Sequence, residues 1–292
     1  MREPSAALVA RIRGFLRKPA KEKFETFTFR LWNLLPKPKT TIRLPFGAKW
    51  VLEESALDAQ LQSGTFESAE TRFVEKLLRP GMTVLDIGAH HGYYTLLASM
   101  LVGSQGRVVA FEPSPRECIR LKTHVRINTC TNVVIEETAL GAAAGQADLF
   151  LVEGAEDYCN SLRPPVVDAQ TRKICVPIET LDQFLIRARV TNVDFIKLDV
   201  EGAELDVLRG ASHLLNHPGR PVFMIEVYDV RTRPWGYLSR EIVQFLACHK
   251  YNWFSLEEKG NPVLINSSKV SFDANLVAVP FERMETFDQT YG

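Results

Sequence analysis

Val84-Leu85-Asp86-Ile87-Gly88-Ala89-His90-His91-Gly92 decides how this chain is read. An apolar strand runs into an acid and a glycine loop, and helix-forming residues follow at once. Glycine is needed where a ligand must press against the backbone. Gly88 and Gly92 give the spacing G-x-x-x-G. That differs from the G-x-G-x-x-G loop, which seats a pyrophosphate on a helix N-terminus.

Outward from this loop the pattern alternates between strand and helix. Strands are expected at 83–87, 107–111, 132–137, 193–198 and 221–227, with helices at 93–101, 115–127, from residue 203, and at 239–249. A hairpin edge is expected at 147–152, a loop at 153–172, and two closing strands at 251–256 and 276–279. Such alternation implies an α/β fold, a doubly wound and mostly parallel sheet covered on both faces. Upstream, 41–52 reads as two short strands around Pro45-Phe46-Gly47. Residues 67–79 read as a helix with Phe73, Val74, Leu77 and Leu78 on one face, ended by Pro80-Gly81.

Composition bounds the class. The 292 residues are 46% hydrophobic, with 35 basic and 35 acidic side chains. This is an ordinary globular balance, with no overall field that would draw the chain to nucleic acid. The charge is uneven, because residues 1–40 carry ten basic and three acidic side chains. Within them, residues 5–17 space Leu8, Ile12, Phe15 and Leu16 helically between Arg11, Arg13 and Arg17. This basic amphipathic helix is expected either to pack over the main domain or to make a peripheral membrane contact. Five scattered cysteines without a C-x-x-C pair read as reduced thiols in a cytoplasmic protein. No apolar run reaches the roughly 20 residues needed to span a bilayer. The domain reading is an arm at 1–40, a covering segment at 41–80 and a ligand-binding domain at 81–292.

Three acidic features carry the chemistry. Asp86, just before the glycine loop, repels a pyrophosphate and suits a cationic ammonium. S-adenosylmethionine carries that group and a sulfonium. Glu112 stands 24 residues beyond Gly88, in Phe111-Glu112-Pro113, where an acid accepts hydrogen bonds from ribose hydroxyls. The third feature is Phe195-Ile196-Lys197-Leu198-Asp199-Val200-Glu201-Gly202-Ala203-Glu204. Lys197 and Asp199 share one face of the strand. A lysine inside an apolar strand needs a partner. It is either in an ion pair with Asp199 or Glu226, or a catalytic amine or substrate contact. Asp199 and Glu226 end strands expected to be neighbours, so they either bind magnesium or neutralise Lys197.

On these segments, with Ala139-Leu140-Gly141, the chain resembles the FkbM family of S-adenosylmethionine-dependent methyltransferases. The resemblance spans Asp86 to Glu226 and implies a Rossmann-like class I methyltransferase fold with an antiparallel C-terminal edge. It implies that Asp86, Gly88 and Gly92 line the methionine end of the cofactor. Glu112, with Ser114 of the same segment, holds the ribose. Asn128 and the turn at Ala139-Leu140 lie near the adenine, and Asp199 and Glu201 stand at the pocket mouth. His90 departs from the family, which often has asparagine there; it still offers a hydrogen-bonding side chain.

The family methylates hydroxyls of polyketides and saccharides, so O-methylation is implied, with Lys197, Asp199 and Glu226 as candidates for the chemistry. The loop after the 221–227 strand offers Arg231, Arg233 and Trp235 to the acceptor, and Asn160 and Ser161 form a second wall. The competing readings are a nicotinamide-dependent oxidoreductase or epimerase, which the glycine spacing opposes, and a non-catalytic partner- or membrane-binding protein.

Overall fold

A computed structural model describes residues 40–53, 55–154 and 157–291. The basic helix expected at 5–17 lies outside them. The central sheet contains β3 (Thr83–Ile87), β4 (Arg107–Phe111), β5 (Val133–Glu136), β9 (Phe195–Leu198), β10 (Val222–Tyr228), β11 (Tyr251–Leu256), β12 (Pro262–Leu264) and β13 (Asp273–Pro280). Its order is β12-β11-β13-β10-β9-β3-β4-β5. The strands from β10 through β5 pair in parallel. β13 inserts antiparallel between β10 and β11. The fold is the doubly wound, Rossmann-like class I methyltransferase architecture.

Strand periodicity sorts the core. Leu85, Ile87, Ile196, Leu198, Phe223 and Ile225 face one side. There they meet α5 (Leu181–Arg187), α6 (Glu204–Arg209), α7 (Ser212–Leu215) and α9 (Ser239–Cys248). Val84, Val108, Phe195, Val222 and Met224 face the other side. That side is covered by α1 (Ala56–Ser63), α2 (Ser68–Leu77), α3 (Tyr93–Val102) and α10 (Met284–Tyr291). Asp86 and Lys197 are register partners on β3 and β9, so they project from the sheet's second face side by side.

The covering segment opens on β1 (Thr41–Arg43) and β2 (Lys49–Val51), paired antiparallel as expected. The α1 helix was not expected; Ser55 starts it with a capping box to Asp58. The expected hairpin edge at 147–152 is corrected. β7 (Gly145–Val152) pairs with β8 (Thr171–Glu179), and both join β6 (Ala139–Leu140) in a separate three-stranded sheet. β8 escapes a sequence reading because Pro177 argues against a central strand. It is tolerated here because β6 pairs only with Ile178 and Glu179. The remaining α-helices are α4 (Pro115–Ile127) and α8 (Asp229–Thr232).

Candidate active site

A cavity of about 310 Å³ opens at the carboxyl ends of β3, β4, β9 and β10, within the size range of small-molecule sites. The turn after β3 forms its floor. Gly88 has φ +86°, and a Cβ there would stand 1.7 Å from the Asp199 carbonyl oxygen. Only glycine lets the β3 and β9 turns meet so closely.

Asp86 is buried and accepts a hydrogen bond from the Thr95 hydroxyl. Burial pushes its carboxyl up to about 6, against the pull of Thr95 and Lys197. Glu112 at the tip of β4 is held at both oxygens. The His90 amide donates to Oε2 and the Ser114 amide to Oε1, each at 2.8 Å. Burial still pushes it up to about 8. Each carboxylate oxygen keeps a second lone pair, so a vicinal diol can bind both.

On the β9 side, Lys197 donates to Asp199 Oδ2 at 2.9 Å and Asn275 Oδ1 at 3.2 Å, and its Nζ lies 5.4 Å from the Tyr94 ring centroid. Burial works against the ammonium, but Asp199, Glu67 and Glu226 outweigh it and hold Lys197 above its ordinary range. The pair with Asp199 is the ion pair expected from the sequence. Glu201 pairs with Arg231 at 2.9 Å; burial nevertheless pushes its carboxyl up to about 8. Glu226 Oε2 has no hydrogen-bond partner among the described residues. Burial, then Asp199, Glu201 and Glu204, pushes this carboxyl well up.

Asp86, Gly88, His90, Glu112, Ala139, Leu140, Asn160, Lys197, Asp199, Glu201, Glu226 and Arg231 all line the cavity. Other expected residues do not. Gly92 starts α3 at φ +93°, where a Cβ would stand 2.5 Å from Leu121; its role is helix packing. Ser114 caps α4 and reaches the site only through its amide on Glu112. Asn128 bonds both backbone polar groups of Lys49 and the His124 carbonyl, which ties α4 to β2 outside the cavity.

The acceptor wall is also revised. Asn160 lines the cavity, but its amide is engaged with the Val152 amide, Arg116 and Glu117. Ser161 donates to the Glu201 carbonyl at 2.8 Å and lies outside the cavity. Arg233 is 69% exposed beside Asp229. Trp235 packs on Gly202 and under Arg163, behind the β9 turn.

Sequence reasoning missed Glu67, Tyr94 and Tyr158, which also line the cavity. It also missed the support behind His90. His91 bonds Glu117 at 2.8 Å, the two histidine rings stack at 3.6 Å, and the His91 carbonyl meets His124 Nδ1.

The "Methyltransferase FkbM domain" model matches residues 86–255, more than half the chain. "Methyltransferase 1" of Beauveria bassiana is 26% identical over 147 residues, covering 44% of this chain and 57% of its own. "Ribosomal RNA large subunit methyltransferase E" of Acinetobacter baumannii is 31% identical over 134 residues, covering 46% and 60%. The chain spans about half the length of the curated relatives it matches. The solved methyltransferase FkbM of Methylobacillus flagellatus matches 77% of this chain and 53% of its own at 16% identity and TM-score 0.43. With the family's domain matched across the glycine loop, the Glu112 tip and the β9 turn, the chain belongs to the FkbM methyltransferase family.

Proposed function

We propose that this cavity binds S-adenosylmethionine and that the enzyme transfers its methyl group to a hydroxyl of a saccharide, glycolipid or polyketide-like acceptor. The observation that carries the reading is the joint placement of Asp86 beneath the Gly88 turn and of Glu112, pinned by two backbone amides, in one cavity. Asp86 meets the ammonium and Glu112 the ribose diol, with Ala139 and Leu140 against the adenine. Bound there, the donor supplies an electrophilic methyl on a good leaving group. The chain's own tasks are alignment, exclusion of water and management of the acceptor's proton. Glu67, Asp199, Glu201 and Glu226 line the acceptor side, which disfavours a phosphate backbone and favours a small or glycan hydroxyl. The basic segment at 5–17 brings the enzyme to a membrane-linked acceptor in this reading. No helix among the described residues is long and apolar enough to cross a membrane.

Titration calorimetry tests the donor. S-adenosylmethionine is expected to bind and NAD is not. Asp86→Ala and Glu112→Ala are each expected to weaken donor binding about tenfold to a hundredfold, the worth of a charged hydrogen bond. Unchanged affinity in both folded variants would sink the assignment.

The magnesium reading names Asp199 and Glu226; their ligand oxygens and one of Glu201 lie within 4.8 Å of one another. Lys197 and Arg231 already supply two positive charges there, so the proposed reaction needs no metal. Methyl transfer is expected to survive exhaustive chelation; a loss restored by magnesium would reverse this.

A further inference from the structure

Glu67 stands where a side chain of its kind has no local reason to be. It is the residue before α2, a position that favours Ser, Thr, Asp or Asn because their short side chains cap the helix. Glu67 makes no such cap, and its backbone is left-handed at φ 35° and ψ 51°. Non-glycine residues rarely adopt that conformation, and when they do the strain often marks a functional site. Among the described residues six non-glycine positions have positive φ, and three of them, Glu67, His90 and Glu201, line the cavity.

The strained backbone sends the Glu67 carboxyl inward. Tyr94 donates its hydroxyl to Oε2 at 2.5 Å. The same phenol ring lies under the Lys197 ammonium. Burial, with Asp199 and Glu70 adding to it, pushes the Glu67 carboxyl up on balance, against the pull of Lys197 and the Tyr94 hydroxyl. The Tyr94 phenol is itself pushed well up by burial and by Glu67, so it stays a donor. Oε1 makes no hydrogen bond to any described residue.

The donor reading occupies the wall formed by Asp86, Gly88 and Glu112. Glu67, Tyr94, Lys197 and Glu226 form the rest of the cavity around β9. Two of the three other carboxyls there are committed. Asp199 is paired with Lys197, and Glu201 with Arg231. Burial and then three like charges push the Glu226 carboxyl well up, and its Oε2 has no hydrogen-bond partner among the described residues.

We propose that Glu67 is a catalytic residue, the general base for the acceptor hydroxyl, with Tyr94 as its positioning residue. This rests on the donor reading above. As the acceptor oxygen forms its bond to the methyl carbon, the carbon–sulfur bond breaks and its electron pair stays on sulfur. The hydroxyl proton passes to Glu67 Oε1. The sulfonium charge is cancelled as the carboxylate becomes a neutral acid, so charge and atoms balance.

The test needs no acceptor. Sinefungin carries a protonated amine where the donor carries its methyl sulfonium, and S-adenosylhomocysteine carries neither charge nor methyl. Both are titrated into the wild type and into Glu67→Gln, Tyr94→Phe and Glu226→Gln, with circular dichroism and thermal unfolding reporting the fold. The expected result is a tenfold or greater loss of sinefungin affinity in Glu67→Gln, with S-adenosylhomocysteine within twofold of wild type. Tyr94→Phe should show a smaller loss of the same kind, and Glu226→Gln little change. The ratio of sinefungin to S-adenosylhomocysteine affinity should also fall in the wild type as pH drops and Glu67 takes up a proton, since Asp86 and Glu112 act on both ligands alike, and Glu67→Gln should lose that fall. Glu67→Asn, with a residue suited to the left-handed cap, should unfold at the same or a higher temperature while losing sinefungin equally. A parallel loss of both ligands in Glu67→Gln makes the residue structural and overturns the proposal, as does equal retention of both. A selective loss at Glu226 overturns it too. Failure of both ligands to bind the wild type overturns the donor reading, and the proposal with it.

Discussion

Lys197→Met is expected to destabilise the fold by about 3–5 kcal/mol near pH 8, the usual cost of removing one partner from a buried charge cluster. Methionine matches the stem in length and keeps the packing, so the loss reports the ammonium. Lys197 is 2% exposed. It is beside Asp86 in register, bonded to Asp199, and within the influence of Glu67 and Glu226. The sign of the pH dependence follows from these neighbours. Lys197 is held above its ordinary range, so its own charge is present throughout the neutral region and is lost only at strongly alkaline pH.

The carboxyls titrate instead. Asp86, already pushed up to about 6 with the lysine present, rises further without it. A carboxyl with a raised folded pKa costs stability as pH climbs past its unfolded value. The deficit of Lys197→Met should therefore be smallest near pH 5, where the carboxyls hold their protons, and should grow toward pH 8. Urea unfolding at both pH values, with unchanged slopes, measures it. A deficit below about 1 kcal/mol at pH 8, or one independent of pH, would contradict this account of the cluster.

The same cluster shows what could be read before the fold was known. Strand periodicity alone put Lys197 and Asp199 on one face. The side-by-side placement of Asp86 and Lys197 was not legible, because it depends on β3 and β9 being neighbours and on their register. Glu112 was legible as a cavity residue because it ends the second strand, where the strands open on the crevice. Glu67 was not, because nothing in Phe66-Glu67-Ser68 announces a left-handed residue, and its partner Tyr94 lies 27 positions away. Arg233 and Trp235 were assigned to the acceptor by the rule that loops at strand carboxyl ends face the crevice. The rule placed the loop correctly. The short α8 helix and the turn after it then carried Arg233 to solvent and Trp235 behind Gly202. Asn128 and Ser114 illustrate the opposite error, in which a residue carried over by resemblance is used for holding the frame.

Asp58→Ala is expected to cost about 3–5 kcal/mol and to weaken donor binding, although Asp58 touches no part of the cavity. Its carboxylate is 1% exposed and joins four elements. Trp50 Nε1 of β2 donates to Oδ1 at 2.7 Å, and the Glu53 and Ser55 amides donate to Oδ2 at 2.8 and 3.0 Å. Arg120 of α4 bonds both oxygens at 2.9 and 3.2 Å. Trp50 in turn stacks on His124 at 3.9 Å. Removing the carboxylate leaves a buried guanidinium, an indole N–H and two amides without their acceptor. It also releases α1, which supplies Ala56, Leu57 and Gln60 to the cavity wall.

Burial pushes Asp58 up, but Trp50, the two amides and Arg120 outweigh it and hold the carboxyl well below its usual range. A depressed carboxyl contributes stability above its unfolded pKa, near 4, and loses it as pH falls through the folded value. The gap between wild type and Asp58→Ala should therefore be full at neutral pH and narrow only in strong acid. The Lys197→Met gap narrows in the same direction but earlier, already near pH 5. Chemical unfolding of both variants across pH separates the two. A constant Asp58→Ala gap down to strongly acidic pH would mean that the carboxylate's charge plays no part in the latch.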